Sequence, residues 1–137
     1  MGRVLAVDYG KRRTGIAVTD VLRIIATPLE TVATEKLMAF LNTYVVKEGV
    51  DEFVVGMPKT LKNEDSETAP LVRKFVEELE KLFPGKPVHL VDERFTSKIA
   101  MQAMVAGGMK KKDRREKGAV DRISAAIILQ SFLESRR

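Results

Sequence analysis

The apolar positions come first in short unbroken runs and then at helical spacing. Val4 to Val7 is a continuous apolar run, the pattern of a central strand buried on both faces. A Tyr9-Gly10 turn leads through Lys11, Arg12 and Arg13 to a second run, Gly15 to Thr19, which predicts a hairpin. Leu22 to Ala26 is expected to form a third strand, with Pro28 limiting how far it can pair as a central one. A helix is predicted from about Thr34 to Lys47, because Leu37, Phe40, Leu41, Tyr44 and Val45 fall on one stripe. Phe53-Val54-Val55 reads as a short buried strand ending at Gly56-Met57-Pro58, and Lys59 to Glu67 reads as loop. Pro70 suits a first helical position, after which Leu71, Phe75 and Leu79 carry a stripe to about Leu82. The Pro84-Gly85-Lys86-Pro87 segment stops that helix, and Val88 to Val91 is the next strand. Thr96 is placed to cap a helix ending at Gly107-Gly108. A last helix runs from about Ala119 to Glu134.

Three strands followed by strand–helix alternation predict an α/β fold. Its five-stranded mixed sheet would be a three-strand meander continued by parallel strands, flanked by helices and joined by right-handed crossovers. No repeat and no interdomain linker interrupts the pattern, so residues 1–137 are expected to form a single domain.

Composition narrows the class. The hydrophobic fraction of 45% and charged fraction of 31% are those of a globular chain. Without cysteine there is no disulfide framework and no thiolate-ligated metal. No apolar run is long enough to span a membrane, and the run after Met1-Gly2-Arg3 is too short for a signal peptide. A cytoplasmic location with no membrane partner is the expectation. The net charge of +5 permits a polyanionic partner without requiring one. Its distribution is more telling. From Lys110 to Lys117 the chain carries Lys110, Lys111, Lys112, Arg114, Arg115 and Lys117 against Asp113 and Glu116. Such a run is ordinarily a solvated loop, so its meaning depends on its neighbours.

Three acids stand out by position. Asp8 closes the first strand, in the parity of Val4 and Ala6, at a carboxyl end where open α/β sheets bind ligands. A turn-forming Asp before Tyr9-Gly10 would explain it equally well taken alone. Glu93 follows the Val88 to Val91 strand, also at a carboxyl end, between Asp92 and Arg94. Taken alone, a solvated turn with a local ion pair is the simpler account of it. Asp121 opens the last helix on the stripe of Ala125, Ile128 and Phe132, although an acid there also favours the helix dipole. Converging carboxylates repel unless a cation lies between them. Hard oxygen ligands suit Mg²⁺ or Mn²⁺, and two such ions support phosphodiester hydrolysis. A polyanionic substrate would explain the basic run just ahead of Asp121. His89, the only histidine, lies within a strand and reads as structural; Ser97 and Ser124 have no adjacent histidine.

The stretch Val4-Leu5-Ala6-Val7-Asp8-Tyr9-Gly10-Lys11-Arg12-Arg13-Thr14-Gly15-Ile16-Ala17 resembles the N-terminal signature of the YqgF family, also called RuvX. Val91-Asp92-Glu93-Arg94-Phe95-Thr96-Ser97 is similar to its second motif, and Lys117-Gly118-Ala119-Val120-Asp121 followed by Ala125-Ala126-Ile127-Ile128-Leu129 to its third. Order and spacing agree over essentially the whole chain. The resemblance implies an RNase H-like fold related to Holliday-junction resolvases. It implies Asp8, Glu93 and Asp121 as catalytic, metal-binding acids, and a nuclease role in maturing the 5′ end of pre-16S ribosomal RNA, with structured RNA and precursor ribosomal particles as partners. Two departures stand out. Asn63 lies near the place where the family has a glycine, and Asn tolerates the left-handed conformation. Many relatives carry a fourth acid spaced i, i+3 on the last helix, where this chain has Ser124 and Gly118. A three-acid site is expected to hold its second ion weakly until substrate phosphate completes it. Arg12 and Arg13 are expected to meet that phosphate, with Arg94, Lys110, Lys111, Lys112, Arg114 and Arg115 as further nucleic-acid contacts.

Competing readings differ in what they require. A resolvase for branched DNA needs two active sites and hence a homodimer, whereas an RNA nuclease can be monomeric. The Asp8-Tyr9-Gly10 to Thr14-Gly15 segment also resembles a phosphate loop of actin-like ATPases, but those need two such domains. A non-catalytic nucleic-acid-binding assembly factor would have no use for three intact acids.

Overall fold

The computed structural model describes residues 2–57, 67–92 and 118–136. Strand β1 (Arg3–Asp8) lies at the centre because Val4 to Val7 give it apolar side chains on both faces, and all four are fully buried. β2 (Arg13–Thr19) pairs antiparallel with β1, and β3 (Ala26–Ala33) antiparallel with β2. A 3₁₀ turn, Thr34–Lys36, leads into α1 (Leu37–Glu48), which ends at the left-handed Gly49, and β4 (Val50–Met57) then pairs parallel with β1. α2 (Ala69–Leu82) precedes β5 (Val88–Asp92), which is parallel to β4. α3 (Ala119–Ser135) follows. The order across the sheet is β3-β2-β1-β4-β5.

Alternation along the strands splits the core between the two faces. Leu5, Val7, Ile16, Phe53 and Val55 pack against α1 and α2. Val4, Ala6, Ala17 and Val54 pack against Ala125, Ile128, Leu129, Phe132 and Leu133 of α3. The stripe expected on the last helix therefore does face the sheet, and it sends Asp121 toward the sheet's carboxyl edge.

Two sequence-based expectations are corrected. The third strand is Ala26–Ala33, not Leu22 to Ala26. The Asp20 carboxylate accepts the backbone N–H groups of Leu22, Ile24 and Ile25 at 3.2, 2.9 and 2.9 Å, and Arg23 is left-handed at φ 59°. These bonds, that of Ile25 above all, hold the Asp20 carboxyl below the usual range. The donors that a strand would have needed at 22–25 are spent in this turn, leaving Leu22, Ile24 and Ile25 exposed. Pro28 is accommodated inside β3 because β3 is an edge strand and its register with β2 slips between Ile16 and Ala17, opposite Pro28. On α2 the buried stripe is Ala69, Val72, Phe75 and Leu79, with Leu71 exposed. At ~100° per residue, Val72 to Leu79 returns nearly to phase, whereas Leu71 to Leu79 overshoots. The helix expected from Thr96 to Gly108 lies outside the described residues.

Candidate active site

Asp8 is the last residue of β1 and faces α3 in the parity of Val4 and Ala6, as its position in the sequence implied. Its antiparallel partner on β2 is Gly15. The first turn of α3 crosses directly over that glycine, so closely that a Cβ on Gly15 would overlap the main-chain carbonyl of Asp121. Gly15 is thus the hinge of the arrangement. It is Asp8's neighbour in the ladder, and its missing side chain is the space that Asp121 enters. Gly15→Ala should push the start of α3 off the sheet. The expected cost is about 1–3 kcal/mol of stability, with a drop in divalent-cation affinity. Thermal unfolding and a Mn²⁺ titration of the folded variant check this; native affinity together with native stability would refute the assignment.

The start of α3 is fixed from the other side by β3. Gly118 precedes the helix at φ 94°, and Thr31 Oγ1 donates to its carbonyl at 2.7 Å. The β1–β2 connection is pinned as well. Thr34 Oγ1 donates to the Gly10 carbonyl at 2.7 Å and accepts from Thr14 Oγ1 at 2.9 Å, while the Thr34 N–H donates to the Arg12 carbonyl at 2.9 Å. This clamp leaves the Arg12 side chain exposed and delivers Arg13, the first residue of β2, to Asp121. Arg13 Nε donates to Asp121 Oδ2 at 2.7 Å, with the Arg13 side chain 51% and the Asp121 side chain 26% exposed.

Asp8, Asp121, Arg12 and Arg13 are therefore gathered around the β1–β2 turn and the start of α3. Asp92 ends β5 opposite Met57, also at the sheet's carboxyl edge. Glu93, Arg94, Lys110, Lys111, Lys112, Arg114 and Arg115 lie outside the described residues. Among the described residues no three acids or histidines form a cluster able to hold a metal. Asp8 and Asp121 are nevertheless hard oxygen donors on one face of the sheet, of the kind Mg²⁺ and Mn²⁺ take. Arg13 is the cation paired with Asp121. Ser124, one turn beyond Asp121, is buried.

Sequence reading missed a second charged group at the opposite edge of the sheet. Glu52, with a side chain 10% exposed, accepts from Arg23 Nη1 at 2.7 Å and from Arg136 Nη1 and Nη2 at 3.0 and 2.7 Å, and lies 3.0 Å from His89 Nε2. Arg136 foremost, then His89, holds the Glu52 carboxyl down at about 2. The parity of Glu52 with Val54 was the available signal, because it places an acid on the inward face. His89, whose ring lies 4.8 Å from that of Phe132 at a 34° tilt, packs within the fold as its strand position implied.

Comparison with known proteins gives three consistent findings. The family model described as "RuvX: Holliday junction resolvase" matches residues 2–135. A protein of Phocaeicola vulgatus is 56% identical over 137 residues, covering 100% of this chain and 99% of its own, and one of Bacteroides thetaiotaomicron is 52% identical over the same span. Both are named for pre-16S rRNA nuclease activity. Among solved structures, RuvC of T. thermophilus in complex with a Holliday junction substrate superposes with TM-score 0.59 at 19% identity, covering 99% of this chain and 96% of that one. That likeness establishes the RNase H-like fold. No helix among the described residues is long and apolar enough to cross a membrane.

Proposed function

The chain belongs to the RuvX family, and on that premise we propose that it is a metal-dependent nuclease that hydrolyses phosphodiester bonds in the 5′-end maturation of pre-16S rRNA. The observation that carries this reading is the placement of Asp8 and of the start of α3 with Asp121 on either side of Gly15, with Arg13 on Asp121 and Arg12 exposed beside them. Asp8 and Asp121, joined by Glu93, are the acids that hold Mg²⁺ or Mn²⁺. A divalent cation held there would make a bound water easier to deprotonate, and so a nucleophile toward phosphorus, and would neutralise charge on the departing oxygen. The third acid leaves a second ion incompletely held, so substrate phosphate is expected to complete its shell. Arg12 is exposed at the mouth of the site to meet phosphates flanking the scissile one. Arg94 and the run Lys110, Lys111, Lys112, Arg114 and Arg115 extend that contact along structured RNA. Precursor ribosomal particles in the cytoplasm are the setting in which such a substrate occurs.

A second reading, cleavage of branched DNA, is favoured by the fold shared with a junction-bound RuvC. One experiment separates the two. Purified protein is incubated with 5′-extended 16S precursor RNA and with a four-way DNA junction, in Mg²⁺ or Mn²⁺, and its mass in solution is measured. Shortening of the RNA 5′ extension, with the junction intact, is expected. Preferential junction cleavage by a dimer would replace the first reading with the second. Failure to cut either substrate in either metal would leave a nucleic-acid-binding assembly factor.

A further inference from the structure

We propose that Arg13 is a built-in counterion that occupies Asp121 until metal and substrate arrive together, so that the two bind cooperatively. The inference rests on the nuclease reading and concerns how its site is loaded. Two sequence expectations meet in one contact: Asp121 as a metal-binding acid, and Arg13 as a phosphate-binding base. The structure puts these side chains on each other, with Nε 2.7 Å from Oδ2. A guanidinium on this carboxylate and a divalent cation bound to it repel each other, so Arg13 weakens metal binding for as long as it stays paired. Metal entry therefore favours the departure of Arg13.

The surroundings permit this movement. The backbone of the β1–β2 connection is held by Thr34 and Thr14, so the carbonyls of Gly10 and Arg12 stay in place while the side chain swings. The Arg13 side chain is half exposed, so it can reach solvent without opening the core. Once released, the guanidinium lies beside the candidate metal acids, where a phosphate entering the site needs a planar, bidentate donor. Phosphate drawing Arg13 away frees Asp121 for the cation, and a cation on Asp121 frees Arg13 for phosphate. Linkage makes the two effects equal in size. The expectation from the sequence, that the second ion is held weakly without substrate, gains a cause within the chain.

The test reads binding, not turnover. Mn²⁺ alone is titrated calorimetrically into wild type, Arg13→Gln, Arg13→Lys and Asp121→Asn. Arg13→Gln should bind Mn²⁺ about fivefold more tightly than wild type, the size of a partly exposed ion pair removed. Arg13→Lys should fall between them, and Asp121→Asn should lose most binding. Affinity for a short structured RNA is then followed by anisotropy in EDTA and in Ca²⁺. Wild type should bind RNA more tightly with the cation, and Arg13→Gln should lose most of that enhancement. Thermal unfolding confirms that each variant is folded. If Arg13→Gln binds Mn²⁺ no more tightly than wild type, or neither binds it, Arg13 is not a competing counterion and the proposal is overturned. If the Mn²⁺ and RNA results are as expected but no RNA is cut, the nuclease reading fails and the counterion role stands.

Discussion

Asp8→Asn is expected to lower metal-dependent RNA cleavage by on the order of 10³-fold or more while leaving the protein folded. The substitution keeps the shape of the side chain and removes its charge. Asp8 is the last residue of a strand whose preceding four residues are fully buried, so the site inherits its position from the most rigid part of the sheet. A cation held there contributes several kcal/mol to the transition state, and each ~1.4 kcal/mol is a factor of ten in rate. Stability should move the other way or not at all. Asp8 and Asp121 both border Gly15, and where two carboxylates approach each other, neutralising one lowers their mutual repulsion. The measurement pairs single-turnover cleavage of precursor RNA with thermal unfolding in EDTA. Loss of cleavage with an equal or higher Tm supports the assignment. Cleavage that survives in Asp8→Asn would end it, whatever the family relationship.

Much of this geometry was legible in the sequence because it depends on local patterns. Val4 to Val7 could only be a central strand, and parity then fixed the face of Asp8. Helical spacing from Asp121 through Ala125, Ile128 and Phe132 correctly turned that acid toward the sheet. Apart from the phase slip at Leu71, the misses depend on contacts between residues distant in sequence or on side chains bonding to backbone. Nothing in Leu22-Arg23-Ile24-Ile25 reveals that Asp20 takes up its donors, and apolar residues in a β-branched run look like strand until that turn is seen. Gly15 was noticed as part of a motif, not as the space occupied by Asp121. Arg13 was expected to meet phosphate, and its ion pair across 108 residues of chain could not be read locally. Glu52 looked like an ordinary charge before an apolar strand, since its partners come from residues 23, 89 and 136.

Those partners make Glu52→Gln the substitution with the largest expected effect on stability. The carboxylate is almost buried and is the common acceptor for Arg23 and Arg136. Gln keeps one acceptor oxygen but removes the charge, leaving two guanidinium groups close together without a counterion, a change that costs about 3–5 kcal/mol at well-buried sites. Because Arg136 is 42% exposed, the lower end applies. At roughly 4 °C per kcal/mol for a domain of this size, Tm should fall by about 10 °C. The pH dependence supplies an independent check. Glu52 has a folded pKa of about 2, against an ordinary value of 4.5. Its contribution is therefore fully present above pH ~4.5 and is lost as the pH falls toward 2. The wild type should lose stability across that window more steeply than Glu52→Gln, so the gap between them should close in acid. A gap that stays constant from pH 7 to pH 2.5 would mean that the charge contributes nothing. The position of the cluster gives the effect a consequence for the site. α3 has 17 residues, ~25 Å of helix. Glu52 takes hold of Arg136 just past its last turn, while Arg13 pairs with Asp121 in its first turn. The helix that carries a candidate catalytic acid is thus pinned by charge at both ends and by Ala125, Ile128 and Leu129 between them. Cutting the far pin should unfold the protein at lower temperature, yet leave cleavage by the folded fraction near wild type well below Tm, because Gly15 and Thr31 still fix the near end.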